Sequence, residues 1–424
     1  MSVAMDITQT PHFNSAHAYR DLYSQFATEA AFLWLLRSVA VEQPHYAPED
    51  LVALEARLEA QLDGLMTAPE LGWSAAEAAL ELEQAGEVFT ATCVALRSHE
   101  MPRIQQAVEA GLASPEATKG LVSALGWLPA GLASPWIDRF LSGKDMRHKY
   151  LGIAACSVRR QDPAEALTSI LNREDCRAHT PLYARALRLV GELRRQDLMP
   201  AVQAARAVDE PAVRFWGTWS AILLGDRAAV TYLQPYVFTP GPHQSQALHL
   251  AFRVLPIEQA RMWISSLAKD PAQARTVIAA TGILGDPHAV NWLIGKMADP
   301  VLARLAGEAF TQITGIELER HQLMGSAPAD QAPIPNDDPD DAYVGLDEDE
   351  NLPWPDANKV AALWRAHGQH FLVGRRYFMG RPIAAELLKE KLTNGFQRQR
   401  HAAALELALL GEMPLPNTRA RIAV

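Results

Sequence analysis

The stretch "DPAQARTVIAATGILGDPHAVNWLIGKMAD", residues 270–299, decides the fold because the chain repeats its plan. The next stretch, "DPVLARLAGEAFTQITG" from Asp299, also begins with Asp-Pro and carries an arginine five residues after the aspartate. "DEPAVRFWGTWSAILLGD", which begins at Asp209, follows the same plan two periods earlier. A period of about thirty residues indicates a repeat architecture in which each unit is a pair of helices.

The repeated residues are those that begin and end helices. Aspartate is a good N-cap, and proline suits the first helical turn, where its missing N–H would be unbonded. Gly225 and Gly285, each in a Leu-Gly-Asp motif, predict helix ends. Further second helices are predicted to begin near Pro115, Asp145, Ala178 and His243. The apolar residues after Asp299 recur every three or four positions and form one helical stripe: Leu302, Leu305, Ala306, Ala309, Phe310 and Ile313.

About seven such pairs fit between residues 86 and 315. One pair cannot bury its own apolar stripe, whereas stacked pairs share a continuous core. The sequence therefore predicts an all-α fold, a HEAT-like α-solenoid. In such repeats the conserved spacing of aspartate and arginine is typical of a structural ladder, with ligand contacts as the alternative. The predicted ladder residues are Asp209, Arg214, Asp270, Arg275, Asp299 and Arg304.

Residues 1–85 do not follow the repeat and predict an N-terminal helical cap. The stretch "PHYAPEDLVALEARLEAQLDGL" predicts a helix that begins near Pro48 and ends at Gly64. Its leucines at 51, 54, 58 and 62 form one stripe. A solenoid must cover the apolar face of its terminal repeat, which is the expected role of this region.

Residues 316–356 form an acidic, proline-rich linker with a net charge of −11, within a chain whose net charge is −10. A segment of this composition predicts a loop, because it cannot build a core of its own. Three interpretations are open: a solvated spacer, docking onto a basic surface of either the chain's own C-terminal region or a partner, and calcium binding. The carboxylates concerned are Asp337, Asp338, Asp340, Asp341, Asp347, Glu348, Asp349 and Glu350.

Residues 357–424 carry a net charge of +7 and predict a basic C-terminal helical domain. Helices are predicted from Asp356, from about Ile383 and from Gln397, with the turn "GRRYFMGRP" between the first two. A basic, aromatic cluster of this kind is a candidate contact site for a partner protein or for the acidic segment. The alternative is a small helical core whose arginines pair with the preceding carboxylates. The cluster comprises Trp354, Trp364, Arg375, Arg376, Tyr377 and Arg381.

The two ends also carry a resemblance. The stretches "EAAFLWLLR" and "LEARLEAQLDGL" near the N-terminus, and "VAALWRAHGQHFLVGRRYFMGRP" and "GFQRQRHAAALELAL" near the C-terminus, resemble a proteobacterial family of HEAT-like repeat proteins. That family has no assigned activity, and its genes often lie beside type VI secretion components. The resemblance implies a secretion-associated accessory role and supplies no catalytic residue.

Catalytic and cofactor motifs are not found in the sequence. There is no GxSxG, no GxxxxGK[ST] and no HExxH. His367 and His370 lie one helical turn apart, but a zinc site needs a third ligand. The three cysteines have neither CxxC spacing nor an even count, which is typical of reduced thiols in a cytosolic protein. We therefore expect no enzyme activity, no cofactor and no metal.

The composition also bears on location and partners. The N-terminus shows no signal-peptide pattern, and the longest apolar run near it is far shorter than the roughly 20 residues of a membrane span. The acidic balance argues against nucleic acid. We expect a cytoplasmic, non-catalytic scaffold or adaptor whose partner is a protein: a secretion component, an effector or a toxin. The alternatives are an immunity protein that neutralises a toxin, with the acidic segment as a substrate mimic, and an enzyme on a helical scaffold.

Overall fold

The computed structural model describes residues 15–328 and 347–422. Within these residues it contains 22 α-helices and one two-stranded sheet, which confirms the predicted all-α class. The chain forms two compact units. Residues 49–159, with the described residues up to 40 and from 420, form the first; residues 41–48 and 160–419 form the second. The predicted boundaries near 85, 315 and 356 stay predictions.

The first unit contains eight helices. In the first unit α4 is central, because it packs against α1, α3, α5 and α6, while α8 packs on α6 and α7. The helices are α1 (Ser15–Ala40), α2 (Pro48–Met66), α3 (Pro69–Ala79), α4 (Ala85–Ser98), α5 (Met101–Gly111), α6 (Pro115–Trp127), α7 (Ala130–Ser142) and α8 (Met146–Arg159).

Helix α2 shows how the stripe in the sequence becomes core. The four predicted leucines are all buried, with relative exposures between 0 and 6%. The predicted end at Gly64 is wrong, because the helix continues to Met66. A β-carbon at Gly64 would lie 3.1 Å from the ring of Phe26, so this glycine allows close packing rather than ending the helix.

The second unit contains the remaining helices and the hairpin. They are α9 (Glu165–Asn172), α10 (Glu174–Ala178), α11 (Thr180–Leu193), α12 (Met199–Ala205), α13 (Pro211–Leu223), α14 (Gln234–Phe238), α15 (Gln244–Val254), α16 (Ile257–Leu267), α17 (Ala274–Leu284), α18 (Val290–Lys296), α19 (Ala303–Thr314), α20 (Ala357–His367), β1 (Tyr377–Phe378), β2 (Arg381–Pro382), α21 (Ala385–Asn394) and α22 (Gln397–Leu410). No helix within the described ranges is long and apolar enough to cross a membrane.

The longer helices of the second unit contact one another in chain order. Helix α11 packs on α13, α15 on α17 and α17 on α19, and each of α13, α15, α17 and α19 also packs on the short helix before it. The predicted second helices do begin close to Pro115, Asp145, Ala178 and His243. The predicted stripe of α19 is buried, with Phe310 and Ile313 fully so. That these pairs form a HEAT-like solenoid stays a prediction.

Residues 409–415, which we call the strap, run along the ends of these helices. Three arginines, spaced 34 and 33 residues apart, donate to backbone carbonyls of the strap, and their order is the reverse of the strap's own. The contacts are Arg160 to Leu415 at 2.7 Å, Arg194 to Gly411 at 2.5 Å and Arg227 to Leu409 at 2.7 Å. Arg194 directly follows α11 in the left-handed conformation, with φ of 58°, where glycine is the favoured residue. Its side chain is needed for the contact, which accounts for the strained choice.

Candidate protein-binding site

The β1–β2 hairpin caps the carboxyl ends of two helices. Its Tyr377 N–H donates to the Gly285 carbonyl at 2.8 Å, at the end of α17, and its Met379 N–H donates to the Gln312 carbonyl at 2.7 Å, near the end of α19. The last carbonyls of a helix have no partner within the helix. The hairpin supplies these partners and is thereby fixed to the second unit.

Gly285 is required for this contact. Its φ of +72° lies in the left-handed region, and the Tyr377 carbonyl lies so close to its Cα that a β-carbon would overlap it. Gly225, the corresponding residue of the earlier Leu-Gly-Asp motif, also has a positive φ of +106°, but open space surrounds it. The two glycines therefore share a backbone conformation and differ in what approaches them.

Arg376 anchors the hairpin from the side, in a contact that we call the Arg376 clamp. Its guanidinium donates to the carbonyls of Leu284 at 3.0 Å and Arg253 at 2.9 Å, and to the Glu406 carboxylate. A cation at helix carboxyl ends is favourable because the helix dipole is negative there. Arg253 lies 3.4 Å from the same carboxylate, and both Arg253 and Glu406 are buried. Burial lowers the pKa of Arg253 to about 10, while Glu406 opposes that shift, so Arg253 stays charged at neutral pH.

Residues 371–375, the tip loop, are held from both sides. The Leu372 N–H donates to the Tyr377 hydroxyl at 3.1 Å, and the Gly374 N–H donates to an Asp286 carboxylate oxygen at 3.1 Å. Asp286 is only 2% exposed and belongs to the second Leu-Gly-Asp motif. These two hydrogen bonds give the tip loop a defined conformation.

The tip loop exposes two adjacent apolar side chains, Leu372 at 60% and Val373 at 62%. The preceding Phe371 is an anchor, because its ring packs on Trp364 at 5.3 Å between centroids. Arg375 at the other end of the loop is exposed. An apolar pair on a rigid loop with a cation beside it can enter a partner's surface at little cost in conformational entropy.

The structure divides the six residues of the predicted cluster. Tyr377, Arg376 and Trp364 support the hairpin and the tip loop, and Trp364 is buried against Phe310 at 6.2 Å. Arg381 pairs at the surface with Glu390 at 2.7 Å. The alternative interpretation, a small core with paired arginines, therefore holds for part of the cluster. The carboxylates that pair with Arg376 and Arg381 are those of Glu406 and Glu390, which follow the arginines in the sequence.

Trp354 lies apart from the tip loop. The guanidinium of Arg304 lies over its ring, 4.5 Å from the centroid. Arg375 is the member of the predicted cluster that is exposed in the tip loop itself. Sequence reasoning missed Leu372, Val373 and Asp286. The run "HFLVGRR", with two apolar residues between an aromatic residue and a glycine, was the available signal.

The described end of the acidic segment, residues 347–350, docks onto helices α17 and α19. Arg275 donates to both oxygens of Asp349, at 2.8 and 2.9 Å, and to Glu348 at 3.2 Å. Arg304 donates to Asp347. The structure therefore places these carboxylates on a basic surface of the same chain. Asp337, Asp338, Asp340 and Asp341 lie outside the described residues.

Asp347 is held in its charged form. Burial alone would raise the pKa of its carboxyl group, but hydrogen bonds from Arg304 and from the Asp349 N–H bring the pKa below its usual value. The neighbouring Asp349 is 4% exposed, and Glu350 is exposed. The segment is anchored further by Leu352, which is 7% exposed.

The predicted ladder residues have other partners than a ladder would give them. Asp209 and Arg214 lie 3.4 Å apart, an exposed pair within one repeat. Asp270 and Asp299 instead accept N–H groups two residues ahead, each at 3.0 Å, as turn and cap residues. Arg275 and Arg304 point to the acidic segment, as described above.

Ion pairs between the helices of a pair come from the Leu-Gly-Asp motifs. Arg206, at the end of α12, donates to Asp226 at 2.8 Å, and Arg261 of α16 donates to Asp286 at 2.8 Å. The two aspartates are the last residues of the two motifs, sixty positions apart. The strap arginines were also missed, because no motif in the sequence places all three at equivalent positions.

The metal-ligating residue types in the described part of the chain do not assemble a metal site. No group of three or more histidine, cysteine, aspartate or glutamate residues there could hold a metal ion. His367 and His370 are both exposed, and the three cysteines are buried and separate. Burial raises the pKa of Cys93 to about 12, which makes its thiol unreactive.

Comparisons with known proteins give no relative on which to rest a name. No family model, no curated protein and no solved structure matches the chain. What the chain does is therefore argued from the tip loop, the Arg376 clamp and the docked acidic end.

Proposed function

We propose that the chain is a non-catalytic scaffold that binds a protein partner through the tip loop. The observation that carries this proposal is the exposure of Leu372 and Val373 on a loop fixed by Tyr377 and Asp286. Singly exposed apolar side chains are common on protein surfaces, but two adjacent ones on an ordered loop form a candidate contact patch. The cost of burying this pair against a partner is low because the loop is already ordered.

The charge around the loop indicates the chemistry of the partner. Arg365, His367, His370 and Arg375 are all exposed near it in sequence, and the whole C-terminal region is basic. A partner surface with an apolar pocket and an acidic rim would complement this arrangement. On the resemblance of the chain ends to HEAT-like proteins encoded beside type VI secretion genes, we propose that the partner is a secretion component or its cargo.

The experiment is affinity purification with three full-length baits from cells of the organism that encodes the chain. The baits are the wild type, the double variant Leu372→Ser/Val373→Ser, and Val301→Ser as a matched control. Val301 is 71% exposed, also in the second unit and away from the tip loop in sequence. Mass spectrometry identifies the proteins captured, and circular dichroism checks that each bait is folded.

A partner captured by the wild type and by Val301→Ser but lost with the double variant would support the proposal. Loss of two apolar contacts at the centre of an interface is expected to lower affinity about tenfold to a hundredfold. Equal capture by all three baits would remove the tip loop as the site. A captured set without secretion proteins would remove that identity while leaving the scaffold proposal in place.

The immunity role stays a second prediction. It requires free carboxylates in the acidic segment to imitate a substrate. Asp349 is buried on Arg275 and Asp347 is bonded to Arg304, so the described end of the segment presents less charge than its sequence suggests. This observation favours the scaffold.

A further inference from the structure

The repeat helices carry a surface that already holds a peptide, namely the chain's own acidic end. Arg275 on α17 and Arg304 on α19 face residues 347–350. The bond from Arg275 to Asp349 is bidentate, which is the most selective way in which a guanidinium recognises a carboxylate. The surface therefore recognises aspartates two residues apart, one by each arginine.

The arginines are prepared for such a ligand. Arg304 is 8% exposed and lies over the ring of Trp354, which fixes the plane of its guanidinium. A third position is apolar: Leu352, three residues after Asp349, is buried. The pattern that the two arginines select is thus two carboxylates at i and i+2, and the chain's own segment adds a buried leucine at i+5.

The chain's own segment fits this surface incompletely. One oxygen of Asp347 accepts from Arg304 Nη2, while the other turns back to accept the Asp349 N–H at 3.0 Å. The Nε of Arg304 is buried and has no hydrogen-bond partner within the described residues. A buried donor without a partner is unfavourable, so a carboxylate that engaged both Nε and Nη2 would bind this arginine better.

The residues that follow the docked end, 354 and 355, are paired with residues 324 and 325. Met324 and Pro355 form an antiparallel bridge, and the Gly325 N–H donates to the Trp354 carbonyl at 2.9 Å. These contacts lie beside the site but do not involve Arg275 or the carboxylates. The docked end can therefore leave the two arginines while its C-terminal flank stays attached.

We propose that the Arg275–Arg304 surface is a binding site for an acidic turn of a partner protein, and that residues 347–350 occupy it in competition. The proposal rests on the proposed scaffold function and names the chemistry of a second contact. A partner segment with two aspartates and a following leucine displaces the chain's own end. The tip loop binds independently of this step.

The test is direct binding of a fluorescent peptide with the sequence of residues 347–352 to full-length protein, measured by anisotropy. The wild type is compared with the double variant Asp347→Asn/Asp349→Asn, whose own segment no longer competes. We expect the variant to bind the peptide about tenfold more tightly, because an attached competitor acts at high effective concentration. A peptide with asparagine and glutamine in place of its acidic residues should not bind.

Two arginine substitutions, each added to the Asp347→Asn/Asp349→Asn variant, test where the peptide binds. Adding Arg275→Gln should abolish the gain, whereas adding Arg214→Gln, the arginine at the equivalent position of an earlier repeat, should leave it unchanged. The proposal is overturned if the open variant binds no more tightly than the wild type, or if Arg275→Gln has no effect. The variant Leu372→Ser/Val373→Ser keeps peptide binding, so failure of the tip-loop proposal is recognised separately.

Hydrogen exchange on the wild-type protein gives a second test, which does not depend on the folding of the variants. Three N–H groups of residues 349, 350 and 352 donate to acceptors within the docked end. Excess peptide should speed their hydrogen exchange, since undocking frees that turn. Unchanged exchange at saturating peptide would count against displacement.

Discussion

The Arg376 clamp and the docked acidic end use the same chemistry, a guanidinium against a carboxylate, with different results. In the clamp, Glu406 is 5% exposed and serves two arginines, and Arg376 also donates to two helix carbonyls. In the docked end, the Arg275 side chain is 38% exposed and Arg304 Nε has no partner in the described part of the chain. Arg253 Nε in the clamp likewise has no hydrogen-bond partner among the described residues, so the two contacts differ in burial rather than in pairing. The clamp carboxylate is buried and shared by two arginines, whereas Arg275 and Asp347 are partly exposed to water, so the second contact is the easier one to exchange.

The largest expected effect is that of Glu406→Gln, which tests the permanence of the clamp. The buried guanidinium of Arg253 and the half-buried one of Arg376 would lose their anion, and breaking a buried pair in this way destabilises a protein by about 3–5 kcal/mol. The change in the free energy of unfolding is measured by urea unfolding, with hydrogen exchange of α22 as the probe for the second unit. The control is Glu390→Gln, which breaks an exposed pair and should change stability by less than about 1 kcal/mol. Similar losses for both variants would show that burial does not separate the two kinds of contact.

Gly285→Ala tests how the clamp holds the hairpin. Gly225→Ala is its control, because both glycines have positive φ but only Gly285 faces the Tyr377 carbonyl. The left-handed backbone alone should cost about 1–2 kcal/mol in the control. Gly285→Ala should lower the free energy of unfolding by more than the control does. It should also weaken partner capture by the tip loop, which is joined to the same hairpin. Equal unfolding free energies for the two variants would contradict the close approach.

The smallest expected effect concerns the docked end. Because the pKa of Asp347 is lowered in the folded chain, its carboxylate contributes to stability at pH values above the ordinary pKa of 3.8. This contribution is lost as the pH falls through the lowered pKa. At neutral pH, Asp347→Asn should lower stability by less than about 1 kcal/mol, because the carboxylate is partly exposed. The difference between wild type and variant, measured by urea unfolding at a series of pH values, should vanish in acid. A difference that persists there would show that the charge of Asp347 does not carry the contact.

The helices could be predicted from the sequence because their signals are local. Pro115 starts α6 and Asp356 caps α20, and the apolar stripes of α2 and α19 are buried as their spacing indicates. Each signal lies within about one turn of the element that it predicts, where capping and propensity act. The predicted helix end at Gly64 was wrong because this glycine serves the close approach of Phe26, which lies on another helix.

The ladder and the site could not be predicted in the same way. The same spacing of aspartate and arginine gives a contact at Asp209 and Arg214, which lie 3.4 Å apart, whereas Arg275 and Arg304 bond to the acidic segment. Arg275 reaches Asp349, 74 residues away, and Gly374 reaches Asp286 across 88 residues. Such contacts depend on tertiary packing, which the spacing of residue types does not encode.

The strap has a consequence for how this protein can change over generations. An ordinary repeat array tolerates duplication or loss of a unit, because each unit contacts only its neighbours. Here Arg160, Arg194 and Arg227 hold Leu415, Gly411 and Leu409 in reverse order. A unit inserted between Arg194 and Arg227 would shift one arginine by a helix diameter, about 10 Å, from its carbonyl. The strap therefore links its own length to the number of helices between Arg160 and Arg227, so that this part of the chain can diverge by substitution more readily than by gaining or losing a helix.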